Sequence, residues 1–205
     1  IFDIGANIGN KSYLFSKIAK NVIAFEPSDK CMLILKNRFK KSNITIINVA
    51  LSSNKHLMDY YEVDGDSAYN SLSDKHINTI VKGRNANVSR SIMAKKLETD
   101  TVDNYITTYG KPGYIKIDVE GHELEVIKGL KNLISLISFE SNLPEFANET
   151  IEIIEYLSKI SNDKYSFNAC EEVPFIFDSF ISKNQIIEFV KTTSFSSVEI
   201  YAKMK

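Results

Sequence analysis

The order of short apolar segments and amphipathic segments limits most strongly what this chain can fold into. Five segments are short and mostly apolar, as strands are when both faces of a sheet are covered. They are residues 1–4, 22–25, 44–47, 114–119 and 136–139. Helical spacing of apolar residues follows the first two, at 10–20 and 28–41. The alternation predicts a mostly parallel α/β sheet with helices on both faces.

The remaining segments continue this alternation on both sides of a polar interruption. Further helices are predicted at 101–108, 122–130 and 150–160, and further strands at 56–63, 95–98, 165–170, 174–177 and 198–202. The polar interruption, 64–90, is expected to be a long loop or insertion with weak structure. With 205 residues, we expect a single domain (1–205), with a variable insertion at about 64–94 and a more weakly patterned C-terminal part at 141–205.

Charge and cysteine content exclude several classes of protein. The chain has 25 Lys and Arg against 26 Asp and Glu, which argues against a nucleic-acid partner held through phosphates. No apolar run reaches the roughly 20 residues that a membrane-spanning helix needs. Cys31 and Cys170 form no metal or disulfide motif and suit a reducing, cytoplasmic compartment. Because the chain begins at Ile1 within a predicted strand, we expect an N-terminal element to precede it.

The turn after the first predicted strand has the composition of a ligand-binding loop. Gly5 and Gly9 allow close approach of a ligand to the backbone, and the following helix presents free N–H groups. A pyrophosphate-binding G-x-G-x-x-G motif is broken here, because Asn7 and Asn10 stand at its second and third glycine positions. The turn fits a ligand that ends in an amino acid, with Asp3 facing its ammonium group directly or through water.

Acidic residues follow two other predicted strands. Glu26, at the end of the second strand, is placed to accept hydrogen bonds from both ribose hydroxyls, and Pro27 stops the strand there. A capping role for Glu26 before the next helix is the alternative. A third strand leads into four acidic residues, which are Asp118, Glu120, Glu123 and Glu125. A solvated helix start explains Glu125 better than it explains Asp118.

Together these motifs resemble the FkbM-type S-adenosylmethionine-dependent methyltransferases. The matching segments are Asp3-Ile4-Gly5-Ala6-Asn7-Ile8-Gly9, Phe25-Glu26-Pro27, Asn48-Val49-Ala50-Leu51-Ser52 and Lys116-Ile117-Asp118-Val119-Glu120-Gly121-His122-Glu123. The resemblance implies a Rossmann-like class I fold with seven strands, of which the last is antiparallel. It also implies that S-adenosylmethionine is the cofactor and S-adenosylhomocysteine the product.

The resemblance assigns each matching residue an expected role. The methionine part of the cofactor would lie on Gly5, Ala6, Asn7 and Gly9, the ribose on Glu26 beside Pro27, and the adenine against Asn48, Val49 and Ala50. Since no acid stands at the adenine position, we expect a main-chain contact there. Asp118 would border the cofactor and is the first candidate for the base or acceptor-orienting group, followed by Glu140 and Glu120. Glu123 is expected to bond the turn amides around Gly121.

The implied reaction is O-methylation of a hydroxyl on a sugar, glycan or secondary metabolite. Carbohydrate stacking on Tyr60, Tyr61 or Tyr69 is an open alternative to ordinary packing of these rings. We assign no metal ligands, but Mg²⁺ on Asp118 and Glu140 stays open as a weaker alternative, and a site built on His56 and His76 is weaker still. His122 is more consistent with a helix start than with catalysis.

Two other functions remain open at this point. A nicotinamide-dependent oxidoreductase is disfavoured by the broken glycine motif, and a non-catalytic S-adenosylmethionine-binding module is the second alternative. The Asn/Asp-Pro-Pro-Tyr/Phe and Pro-Cys motifs of nucleic-acid methyltransferases are absent. The basic segment 82–96 is either a lid for an acidic substrate or only a loop.

Overall fold

The computed structural model describes residues 1–84, 91–171 and 173–205. Seven strands form one sheet in the order β3-β2-β1-β7-β8-β10-β9. These strands are β1 Phe2–Ile4, β2 Val22–Phe25, β3 Ile44–Ile47, β7 Tyr114–Ile117, β8 Leu136–Asn142, β9 Tyr165–Cys170 and β10 Ser197–Met204. The chain order reverses between β1 and β7, so the carboxyl ends of these two strands flank the switch point where α/β proteins bind ligands.

The sheet is parallel except for its last strand. β1 pairs in parallel with both β2 and β7, and β7 pairs in parallel with β8. β10 lies antiparallel between β8 and β9. The predicted seven-stranded Rossmann-like sheet with a final antiparallel strand is therefore confirmed.

Seven α-helices are described between the strands: α1 Asn10–Ser16, α2 Asp29–Arg38, α3 Asp74–His76, α4 Val102–Tyr109, α5 Glu123–Lys128, α6 Ala147–Ile160 and α7 Lys183–Thr192. Alternate residues of β2 show that both sheet faces are covered. Ile23 and Phe25 pack in one core, with residues of α4 to α7, whereas Val22 and Ala24 pack in another with α2.

In the described part of the chain, no helix is both long enough and apolar enough to cross a membrane.

A second, three-stranded sheet lies in the middle of the chain. Its order is β4-β6-β5, with β4 Ala50–Leu51, β5 Leu57–Val63 and β6 Ile92–Asp100. The strand predicted at 95–98 is longer than expected, because residues 92–98 pair with β5 and residues 99–100 pair with β4. Described residues of the expected loop are also more ordered than predicted. They form a 3-10 turn at Ser67–Tyr69, α3, and π-helical turns at Ile77–Arg84, whereas 85–90 lie outside the described residues.

The strand predicted at 174–177 is wrong. The side-chain oxygen of Asn168, in β9, accepts a hydrogen bond from the backbone N–H of Phe177. The side-chain NH₂ of Asn168 donates a hydrogen bond to the carbonyl oxygen of Phe177. Within 174–177, Ile176 alone donates a backbone hydrogen bond to β9, at Ala169. Because an asparagine side chain replaces the backbone ladder, this segment follows the sheet edge without extending the sheet.

Gly9 is fixed by packing, and this gives a test of the fold. Its φ is +84°, and a Cβ there would overlap the Phe39 ring and lie 2.7 Å from a Leu35 methyl. Gly65 has a similar φ of +77° but open space around it. We predict that Gly9→Ala lowers the free energy of unfolding by about 2–4 kcal/mol, and Gly65→Ala by only about 1 kcal/mol.

Urea denaturation of both variants measures this difference. Equal losses would show that left-handed backbone strain alone accounts for Gly9, and would remove the packing explanation.

Candidate functional site

A cavity of about 150 Å³ opens at the carboxyl ends of β1, β2 and β7. Eight of the predicted site residues line it: Gly5, Asn7, Glu26, Pro27, Val49, Ala50, Asp118 and Glu120. The sequence motifs are therefore brought together although they are separated by up to about a hundred residues. Asp3, Ala6, Gly9, Asn48 and Glu140, which were also predicted, are outside this lining.

Glu26 connects two turns at the edge of the cavity. One carboxylate oxygen accepts the N–H of Asn7 at 2.8 Å, and the other accepts the N–H of Ser28 at 2.8 Å. Burial raises the pKa of Glu26, and these two N–H donors oppose that rise. The capping role is thus present, and each oxygen keeps a further lone pair that a ribose hydroxyl can use.

Glycine is required at positions 5 and 9 for different structural reasons. At Gly5, with φ +80°, a Cβ would overlap the carbonyl oxygen of Asp118, so glycine lets the turn lie directly against the end of β7. Gly9 faces Phe39 and Leu35, away from the cavity lining. Its predicted cofactor contact therefore stays a prediction, and packing already explains the residue.

Asp3 lies beneath the cavity rather than in its wall. Its side chain is fully buried and accepts a hydrogen bond of 2.5 Å from the Ser12 hydroxyl. Lys116, its neighbour on β7, places its ammonium 3.8 Å from Asp3 and 2.9 Å from Asp118. Lys116 therefore links Asp3 to Asp118, which lines the cavity. The sequence motifs assigned no role of its own to Lys116.

The predicted adenine side of the cavity is built by main chain and apolar groups. Asn48 uses its amide to donate to the carbonyls of Glu26 and Pro27, at 3.0 and 3.1 Å. It therefore fixes the end of β2, while Val49 and Ala50 line the cavity. The main-chain contact to the adenine stays a prediction.

The middle segment supplies cavity residues that sequence reasoning missed. They are Ser67, Ala68, Asn70, Ser71 and Leu72, together with the Tyr60 that was considered for sugar stacking. Ser67 donates to the Asn7 side chain at 2.8 Å, and Ser71 donates to the Glu120 carbonyl at 2.6 Å. No spacing signal marks these positions, because their role depends on how the insertion folds back. Tyr60 lines the cavity but is only 2% exposed, which argues against an open face for stacking on a sugar.

Three carboxylates meet at one end of the cavity. Asp118, Glu120 and Glu140 have carboxylate oxygens that all lie within 4.8 Å of one another. Burial raises the pKa of Glu140 to about 8 and also raises the pKa of Glu120, and the neighbouring negative charges add to both shifts. Among the described residues this is the single cluster with metal-ligand spacing, so the weak alternative built on His56 and His76 is wrong.

Comparison with known proteins places this site in a family. A family model described as the methyltransferase FkbM domain matches residues 3–167, which includes every residue of the cavity lining. The chain belongs to the FkbM methyltransferase family. The predicted resemblance is thereby confirmed.

Individual relatives agree with this membership. The hexuronic acid methyltransferase AglP of Haloferax volcanii is 29% identical over 141 residues, which are 68% of this chain and 53% of the relative. The chain thus spans about half the length of this curated relative. Among solved structures, methyltransferase FkbM from Methylobacillus flagellatus has a TM-score of 0.59 at 15% identity, over 98% of this chain and 42% of that one. A precorrin-6y C5,15-methyltransferase from Geobacter metallireducens has a TM-score of 0.50 at 12% identity, over 100% of this chain and 78% of that one. Both structures show the fold alone.

In this FkbM-family chain, Glu123 shapes the turn that carries Glu120. One of its oxygens accepts the N–H groups of Val119 and Gly121, at 3.0 and 3.2 Å. Burial raises the pKa of Glu123 to about 7, against the effect of these donors. The predicted structural role of Glu123 is confirmed. His122 is buried too and contacts the Ser52 hydroxyl at 3.0 Å, away from the cavity lining.

We predict that Glu123→Ala lowers the free energy of unfolding by about 2–4 kcal/mol, because two backbone N–H groups lose their buried acceptor. Glu123→Gln keeps one acceptor oxygen and should lose clearly less. Thermal and urea unfolding measure both, with the exposed Glu155→Ala of α6 as the control. Equal stability of Glu123→Ala and Glu155→Ala would contradict the role in the turn.

Proposed function

We propose that this chain transfers a methyl group from S-adenosylmethionine to a hydroxyl oxygen, on a sugar or glycan acceptor. The observation that carries the proposal is the meeting of the Gly5–Asn7 turn, Glu26 and Val49–Ala50 in one cavity at the switch point of the sheet. Family membership supports methyl transfer, and the residues that line the cavity support a ligand with an amino acid at one end and a nucleoside at the other.

The residues at the cavity fit the three parts of this cofactor. The N–H groups of Gly5, Ala6, Asn7 and Gly9 already donate hydrogen bonds within the protein. The carboxylate of the methionine part would therefore bind the N–H groups that follow at the start of α1. Glu26 would accept hydrogen bonds from the ribose hydroxyls while keeping its bonds to Asn7 and Ser28. The side chains of Val49 and Tyr60, which both line the cavity, suit the adenine ring. Asp3 would act on the ammonium only through its neighbours, since Lys116 and Ser12 already face its carboxylate.

The reaction needs alignment and a group that receives a proton. When bound, the cofactor supplies an electrophilic methyl group on a positively charged sulfur. The acceptor oxygen would form the new C–O bond in line as the C–S bond breaks, and its proton would pass to a carboxylate. Asp118 is the first candidate because it lines the cavity and is held by Lys116 at 2.9 Å. Glu120 and Glu140, beside it, are the others.

A carbohydrate acceptor is supported by one relative. AglP is named a hexuronic acid methyltransferase, and it matches 68% of this chain. The carboxylate end of the cavity suits an acceptor with several hydroxyl groups, because carboxylates accept hydrogen bonds from hydroxyls in pairs. Tyr61 and Tyr69 remain candidates for stacking on a sugar, as both are partly exposed near this end.

The cofactor assignment is tested with Glu26→Ala. We predict that the Kd for S-adenosylhomocysteine rises at least about tenfold, because charge-assisted hydrogen bonds to the ribose are lost. Calorimetry with S-adenosylmethionine, S-adenosylhomocysteine and NAD measures it. The exposed Glu98→Ala, which loses only its pair with Lys55, is the control.

Glu26→Gln keeps an acceptor for the turn amides and separates a folding defect from lost ribose bonds. Binding of NAD without either methionine nucleoside would favour the oxidoreductase alternative. An unchanged Kd in both variants would remove Glu26 from the ribose role.

The chemical step is tested with Asp118→Asn. We predict that turnover falls at least about a hundredfold while the cofactor Kd stays within about threefold of wild type, because the amide cannot take the hydroxyl proton. Release of S-adenosylhomocysteine in the presence of hexuronates and oligosaccharides measures it, with the exposed Asp59→Asn as control. Retained turnover would assign the proton to Glu120 or Glu140. Cofactor binding without turnover on any acceptor would favour a non-catalytic module.

A further inference from the structure

The three carboxylates at the end of the cavity come from two neighbouring strands. Ile117 of β7 pairs in parallel with Phe139 of β8. The next residues, Asp118 and Glu140, therefore lie side by side at the carboxyl ends of these strands. Glu120 reaches the same point from the turn after β7, where its φ is +56°. The ends of the two strands and this turn together bring carboxylate oxygens of all three residues within 4.8 Å of one another.

The charge of this cluster is not balanced by the described residues around it. Lys116 approaches Asp118 at 2.9 Å and also faces Asp3, so one ammonium serves two carboxylates. Glu140 receives hydrogen bonds only from Ser197 and Asn142, at 3.2 and 3.4 Å. No described lysine or arginine lies within ion-pair distance of Glu120 or Glu140. Several partly buried carboxylates with one shared cation are costly unless a proton or a further cation joins them.

A second observation at this cluster is the environment of His76. Its side chain is fully buried, and neither ring nitrogen has a hydrogen-bond partner. Its Nε2 lies 3.5 Å from a carboxylate oxygen of Glu120. The aromatic rings of Tyr69 and Phe146 flank it, and α3 is fastened to α6 by the 2.5 Å Lys75–Glu149 pair. Carboxylates that bind metals are usually oriented by a second polar group, and His76 Nε2 is the polar atom that lies close to Glu120 on this side.

We propose that Asp118, Glu120 and Glu140 bind a divalent cation of the Mg²⁺ and Mn²⁺ class, with His76 as a positioning residue behind Glu120. Three carboxylates supply hard oxygen donors, and these cations fill their remaining positions with water or with oxygens of a substrate. Asp118 and Glu120 also line the cavity, so the open positions of the cation face it. An acceptor bound there would be one that offers adjacent oxygens, such as a diol or a hexuronate; this last step rests on the proposed function.

The test is a titration of the metal-free protein with Mn²⁺. The electron paramagnetic resonance signal of the free ion measures how much Mn²⁺ is bound at each step. We expect one site per chain, with Glu140→Gln and Glu120→Gln each raising the Kd for Mn²⁺ at least about tenfold. Competition by Mg²⁺ should release the bound Mn²⁺. Glu155→Gln, an exposed acid on α6, is the matched control and should leave the Kd unchanged.

The role of His76 is tested by a measurement that a change in packing alone would not affect. His76→Phe keeps an aromatic ring between Tyr69 and Phe146, so we expect its melting temperature to stay near wild type while the Kd for Mn²⁺ rises about tenfold or more. His76→Gln restores a donor toward Glu120 and should recover part of that affinity. A changed melting temperature with an unchanged Kd would make His76 a packing residue only.

Two results would overturn the proposal. One is no bound Mn²⁺ at millimolar concentration, which would mean that the carboxylates share protons instead. The other is Mn²⁺ binding that survives the loss of both Glu120 and Glu140. Because the titration contains no cofactor, its outcome is separate from the proposed function. If the protein binds S-adenosylhomocysteine but does not bind Mn²⁺, only the cation site is contradicted. If it binds Mn²⁺ but does not bind S-adenosylhomocysteine, only the methyl donor is contradicted.

Discussion

The ion pairs of Lys116 are the interaction on which the geometry of this site depends. Its ammonium is buried between Asp3, in the central strand of the switch point, and Asp118 at the end of the next strand. Burial alone would lower the pKa of Lys116, but the two carboxylates hold it well above its usual value. Burial also raises the pKa of Asp3, which Lys116 and the Ser12 hydroxyl oppose. Loss of Lys116 would leave the buried carboxylate of Asp3 without a cation, which costs several kcal/mol.

This arrangement explains why the turn after β1 can lie so close to β7. Lys116 holds the side chain of Asp118, and the missing Cβ of Gly5 makes room for the Asp118 carbonyl. Gly5 and Asn7 of the turn therefore line the same cavity as Asp118, although the two segments are far apart in the chain. The proposed methyl donor and the proposed base would meet at this contact.

The sequence predicted the framework well because its signals are local. Continuous apolar strands, the glycine turn and the acids at strand ends identify the sheet edge, and the family resemblance orders the strands. What the sequence could not predict depends on distant contacts. The role of Asn168 in ending the sheet, the burial of Asp3 under Lys116, and the approach of Ser67 to Asn7 each require the folded chain. Glu123 is the exception, because its partners lie within four residues and the turn could be predicted.

The middle segment also has more structure than its composition indicates. Ser67 and Ser71 bond residues of the cavity, and α3 brings His76 to Glu120. Insertions of this kind can therefore complete a site that the common fold leaves open. The acceptor preference is expected to depend on this segment, since it covers the side of the cavity that the sheet does not form.

Hydrogen exchange with and without S-adenosylhomocysteine tests most directly whether this cavity is the methyl-donor site. The account predicts slower exchange at 4–9, 25–28 and 67–72, where cavity residues and their turn amides lie, and unchanged exchange in α7. Protection confined to residues outside the cavity, or no protection at a saturating concentration, would contradict it.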